Sequence, residues 1–248
     1  MRRSLRILSA ASALTLIAAA AQAATLNVTN VSAVWSNPIG GAAVTTGMNG
    51  DVAELRWGTG AKKSGYDFDP LSPSGPHSQD TVFNIGTFTH HNFPIGDGTG
   101  ISGATLDVEF TFYLGSDSST TYTRMSQFVF DHNETPNSAN PCANGLPNGD
   151  PSNAGGCADL VTASTNPATS ETFTITEGGI TRTYVFDVTG FNIGEDFWTK
   201  ENMSNSATLQ AQYTYEENIA PVPLPAAAWL LMAGVGGFAA VGRRRRRS

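Results

Sequence analysis

From Thr105 to Leu114 the chain reads Thr-Leu-Asp-Val-Glu-Phe-Thr-Phe-Tyr-Leu, with Leu106, Val108, Phe110, Phe112 and Leu114 alternating with less apolar neighbours. A period of two over this length predicts a β-strand with one buried face. Glu171 to Val188 predicts a hairpin, in which a two-residue loop at Gly178-Gly179 sets Phe173 opposite Tyr184. Shorter runs predict further strands at Thr25 to Trp35, Val52 to Trp57, Val82 to Thr89, Tyr122 to Phe130 and Ala207 to Tyr215. Turn clusters separate them, chiefly Asp69 to Pro76 and Gly96 to Gly100. No stretch between them sustains a helical period, and there is no internal repeat. The expectation is an all-β domain, a jelly-roll-like β-sandwich in preference to a barrel.

The two ends carry different patterns. Arg2, Arg3 and Arg6 precede an apolar run from Ile7 to Ala21, and Ala21-Gln22-Ala23 has the small-x-small form of a signal peptidase site. Residues 1–23 therefore read as a cleaved secretory signal, and residues 24–217 as the exported domain. Residues 218–225 form a linker in which Pro221, Pro223 and Pro225 resist helix. Residues 226–242 carry no charge. As a helix rising about 1.5 Å per residue they span about 25 Å, just short of a hydrocarbon core of ~30 Å. Trp229 suits one membrane interface, and Arg243, Arg244, Arg245, Arg246 and Arg247 form a membrane stop held on the cytoplasmic side, within a tail of residues 243–248. The domain is thus expected outside and the tail inside.

Charge sharpens this division. Three of the 14 basic residues lie in the signal and five in the tail, whereas all 21 acidic residues lie in the exported domain. Such a surface repels nucleic acid and anionic lipid, which are bound mainly through positive charge. Cys142 and Cys157 enclose a segment too rich in Gly, Pro and Asn for regular structure, and in an exported chain they read as a disulfide.

Val222-Pro223-Leu224-Pro225, the short apolar span and the arginine run together resemble a PEP-CTERM sorting signal, in its Val-Pro-Leu-Pro form. The resemblance implies processing by exosortase, a membrane enzyme of exopolysaccharide-producing Gram-negative bacteria. The small residues Ala233, Gly234, Gly236 and Gly237 suit close approach by another helix in the membrane. Within the domain, Thr89-His90-His91-Asn92 fits the Thr-His-x-Asn motif and resembles the THxN family and the choice-of-anchor K type domain. The segments Phe130 to Asn137 and Pro141 to Asp159 are similar to further landmarks of that group. These families imply no established biochemical activity.

His90, His91, Asn92, Asp131 and His132 form the one set with the chemistry of a cation site. Adjacent His90 and His91 cannot face the same way along a strand, however. The favoured role for Thr89, His90 and Asn92 is hydrogen bonding to loop backbone, fixing a turn that ends at Pro94. Asp107 and Glu109 lie about 7 Å apart on one strand face, a spacing compatible with an inverting glycosidase, yet that face reads as solvated. Asp67, Asp69 and Asp97 lack the spacing of a known calcium loop. No catalytic, cofactor or metal residue is assigned. The expected function is a non-enzymatic surface or matrix module, with signal peptidase and exosortase as processing partners and exopolysaccharide as a candidate ligand. The expected location is an inner-membrane precursor, then the cell surface or extracellular matrix. A secreted glycan hydrolase and a permanently membrane-tethered binding domain are the alternatives.

Overall fold

The computed structural model describes residues 25–71, 74–165, 171–177, 180–192 and 197–219. The signal, the sorting motif at Val222 to Pro225, the apolar span and Arg243 to Arg247 lie outside these residues. Among the described residues no helix is long and apolar enough to cross a membrane.

Two curled sheets face each other. The first contains β1 (Leu26–Gly40), β5 (Ser74–His77), β7 (Ile101–Leu114), β8 (Tyr122–Asn133), β9 (Asp159–Thr165) and β12 (Phe197–Thr199), in the order β12-β9-β8-β7-β1-β5. The second contains β2 (Thr45–Asn49), β3 (Val52–Trp57), β4 (Ser64–Pro70), β6 (Phe83–Asn92), β10 (Glu171–Glu177), β11 (Ile180–Phe191) and β13 (Met203–Ile219), in the order β10-β11-β13-β6-β4-β3-β2. Neighbouring strands pair antiparallel, as expected where one face of each sheet meets the core and the other meets water. The all-β sandwich-like architecture is present.

β7 shows why the alternating pattern reads so clearly. Leu106, Val108, Phe110 and Phe112 are all buried between the sheets, and Asp107 and Glu109 point the other way. The hairpin also forms in the expected register, with Phe173 opposite Tyr184. Each isolated strand predicted from the pattern is present, and most are longer than the pattern implied. The Asp69 to Pro76 cluster is a correction. β4 runs to Pro70 and β5 begins at Ser74, so strands reach into both sides of the proline-rich stretch. Proline is tolerated there because β5 is an edge strand and Pro70 ends β4. At the other end, β13 runs to Ile219, which pairs with Ile180, so the sheet continues into the segment read as linker.

Aromatic rings from both sheets lock the layers together. Phe130 of β8 lies 5.1 Å from Trp35 of β1 and 4.9 Å from Phe88 of β6, centroid to centroid. Phe88 meets Tyr66 of β4 at 5.1 Å. Offset and edge-on pairs like these add to the burial of the rings themselves. The disulfide between Cys142 and Cys157 is present, with its Cα atoms 5.4 Å apart.

Candidate functional site

One end of this aromatic core is polar, and a bulge in β6 puts it there. Gly86 pairs with Leu209 and Asn84 with Gln210, leaving Ile85 without an opposite residue on β13. An extra residue reverses the phase of the strand beyond it. Phe83 and Ile85 face the core before the bulge, and Phe88, His90 and Asn92 face it afterwards. Without the bulge, Thr89 and His91 would have pointed inward. Gly86 is required at this point, because a side chain there would run into the Phe68 ring.

His90 is fully buried, and its Nδ1 lies 2.8 Å from Thr199 Oγ1. Asn92 Nδ2 donates to the Thr199 carbonyl at 3.0 Å. Both inward members of the Thr-His-x-Asn motif thus grip the end of β12, which belongs to the opposite sheet. Thr89 is on the outer face and pairs with Ser206 Oγ at 2.9 Å. The expected turn fixed by Thr89, His90 and Asn92 is therefore replaced by a strand whose alternate residues tie its two sides to different partners. The motif residues lie on β6 itself, which ends at Asn92.

His132 comes from the other sheet. Along β8, Ser126, Phe128, Phe130 and His132 face inward in strict alternation. The His132 ring lies 5.2 Å from that of His90 and nearly perpendicular to it. Its Nδ1 is 2.7 Å from the buried Tyr66 hydroxyl, and its Nε2 is 3.2 Å from Glu134 Oε2. Trp57 closes the same space, its ring 5.1 Å from that of His132.

Asp159 completes the cluster. It is the first residue of β9, two places after Cys157, so the disulfide loop delivers it to the core. Thr135 N donates to its Oδ1 at 2.8 Å. Its other oxygen, Oδ2, is buried without a hydrogen-bonding partner, as is His90 Nε2. His90, His132 and Asp159 each offer one donor atom, and these atoms lie within 4.8 Å of one another. Burial, with Glu134 and Glu201 adding like charge, pushes the Asp159 carboxyl up to about 9, against the hydrogen bond from Thr135. Burial, with the His132 and His91 imidazoles adding, holds His90 well below its ordinary value. Glu201 is also raised, first by burial. A cavity of about 460 Å³ is lined by Ile95, Asp97, Glu134, Thr135 and Asn137, and so reaches the residues that contact His132 and Asp159.

The other residues singled out in the sequence lie elsewhere. His91 faces outward, 2.6 Å from Ser204 Oγ and 2.8 Å from Asp67 Oδ2, and Asp131 is exposed. The conflict between His90 and His91 is thus resolved as strand geometry requires. Asp67 is on β4, not in a loop, and also pairs with Arg56 at 2.5 Å. Asp69 and Asp97 are exposed. Asp107 accepts hydrogen bonds from Ser36 Oγ at 2.8 Å and Gln127 Nε2 at 2.7 Å, and Glu109 is exposed.

Asp67 supplies a prediction of its own. Burial opposes its ionisation, but hydrogen bonds from His91 and Arg56 outweigh this and hold the carboxyl below its usual range. With the folded value depressed, the stabilisation is complete above the unfolded carboxyl range near ~4 and is lost progressively as pH falls from there through the lower folded value. Asp67→Asn should therefore cost about 1 kcal/mol at neutral pH, as for a partly exposed pair. Denaturant titrations should show that difference shrinking toward zero below about pH 4.

No protein-family model matches the chain, and no curated protein does.

Proposed function

We propose that this protein is a non-enzymatic module of the cell surface or extracellular matrix, exported by its N-terminal signal and sorted through its C-terminal tail by an exosortase-type enzyme. The observation that carries the reading is the order of the last residues: Val222-Pro223-Leu224-Pro225, an uncharged span of residues 226–242, then Arg243 to Arg247. A stop-transfer segment needs the span and the charges, but the proline motif at its outer edge serves recognition. Two features of the domain support life outside the cytoplasm. Its cysteines form a disulfide, which persists in oxidising compartments, and its charge is strongly acidic. Asp107 is engaged by Ser36 and Gln127 on an open sheet face, which favours a structural part for it over general acid catalysis.

Replacing Pro223 and Pro225 with Ala in the producing cells tests the sorting step. The full-length precursor should accumulate in the membrane fraction, detected by immunoblot as a heavier band, and the surface pool should fall. An unchanged ratio of precursor to mature protein would remove the proline motif from the sorting process.

A further inference from the structure

We propose that His90, His132 and Asp159, with Glu134 at the rim, form a binding site for one zinc-class divalent metal ion between the two sheets. The case begins with unsatisfied atoms. His90 Nε2 and Asp159 Oδ2 are both buried without a hydrogen-bonding partner, and each belongs to a side chain with 1% exposure or less. A buried polar group left unpaired is costly, and here two of them belong to residues of one cluster.

The supporting contacts are those a bound metal requires. An imidazole ligand is oriented by a hydrogen bond from its other ring nitrogen. His90 Nδ1 has Thr199 Oγ1 at 2.8 Å, which leaves Nε2 for the ion. His132 Nδ1 has the Tyr66 hydroxyl at 2.7 Å, which leaves its Nε2 toward Glu134. Asp159 is anchored through Oδ1 by Thr135 N, which leaves Oδ2. Each donor thus has a second contact that fixes its direction, and those contacts come from different strands and a loop.

Charge and donor type select the ion. Two imidazoles with one or two carboxylates suit zinc and its neighbours, whereas calcium takes six to eight oxygens. A dication is balanced by the carboxylates of Asp159 and Glu134, relieving the strain of burying acidic groups together. The three donors lie within 4.8 Å of one another. Zinc bonds of about 2.0–2.1 Å call for donors roughly 3.4 Å apart, so binding draws the sheets' ends together around the ion. Entry is from the cavity beside Glu134. Gly100 leaves that side chain room, since a Cβ there would come within 2.7 Å of Glu134 Cγ.

The full chain, purified in detergent and stripped with a chelator, is titrated with Zn²⁺ by calorimetry and with Co²⁺ by visible absorption. We expect one ion per chain, a Co²⁺ d–d band of a four-coordinate site, and a melting temperature raised by several degrees at saturating zinc. Ca²⁺ should do none of this. His90→Ala should weaken zinc binding at least a hundredfold. Because that variant leaves a gap in the core, Asp159→Asn is the second arm. It should also weaken binding at least a hundredfold while its metal-free melting temperature stays at or above that of the parent, since a buried acid is removed. His91→Ala, on the outer face, should bind as the parent does. Absence of stoichiometric zinc and of a Co²⁺ band would overturn the proposal, leaving a water-filled polar pocket. Binding that survives both His90→Ala and Asp159→Asn, or that is lost with His91→Ala, would overturn it equally.

Discussion

Phe130→Ala is expected to lower the free energy of unfolding by about 3–5 kcal/mol, the range for deleting a buried aromatic ring. Phe130 is fully buried, and its ring touches both layers: Trp35 on its own sheet, and Tyr66, Phe88 and Phe191 on the other, at centroid distances of 5.1, 5.7, 4.9 and 5.4 Å. No flexible side chain lies among these four neighbours to collapse into the space, so the cavity term adds to the lost burial. His132 follows two places later on the same inward face, so its Tyr66 contact should loosen as well. Urea denaturation followed by tryptophan fluorescence gives the value. A loss under about 1 kcal/mol would mean the sheets are not held together by this aromatic layer.

Removing the disulfide should have the next largest effect. The bridge closes a loop with a sequence separation of 15, and the chain-entropy model assigns such a loop about 3 kcal/mol. The Cys142→Ser, Cys157→Ser double variant should unfold at correspondingly lower denaturant, as should the parent under reducing conditions. The loop's own hydrogen bonds set how much order remains. Asn153 Nδ2 donates to Asn144 Oδ1 at 3.1 Å and to the Pro147 carbonyl at 3.1 Å, and its Oδ1 accepts from Ala158 N at 3.2 Å. These contacts keep the loop folded around Asn153, so local order should outlast the covalent link at low denaturant. Equal midpoints with and without the bridge would show that the loop adds nothing to the unfolded-state constraint.

The strands with a single apolar face were legible because alternation is a local signal. Val52 to Trp57 and Thr105 to Leu114 state their buried positions in their own residues. β4 was not legible, since only Tyr66 and Phe68 alternate there, amid Gly, Asp and Pro. β12 is three residues long, too short to carry a period. Strand ends were underestimated where polar residues replaced apolar ones on the inner face. His90, Asn92 and His132 continue the core positions of β6 and β8, but read as polar punctuation when hydrophobicity alone is scored.

The same substitution explains what was seen of the candidate site and what was missed. His90 and His132 stood out as residue types, and the strand rule correctly separated His90 from His91. Asp131 is adjacent to His132 in sequence, yet alternation along β8 sends it outward, and His132 alone enters the core. Asp159 closes the Pro141 to Asp159 segment that resembles a family landmark, but nothing in its immediate neighbours marks it as a ligand. Its place depends on the disulfide loop and on β9 pairing beside β8, a relation between distant segments. Thr199, which holds both His90 and Asn92, is likewise supplied by a strand too short to read. The bulge at Ile85 decided which histidine turned inward, and only the register with β13 reveals it.

The proposed sorting role requires that the tail be read and removed, so the chain recovered from the producing cells gives the most direct test. Intact-mass spectrometry of the protein recovered from the surface of its producing cells should show a chain beginning at Ala24 and lacking the span 226–242 and Arg243 to Arg247. A surface-recovered chain still ending at Ser248 would contradict it.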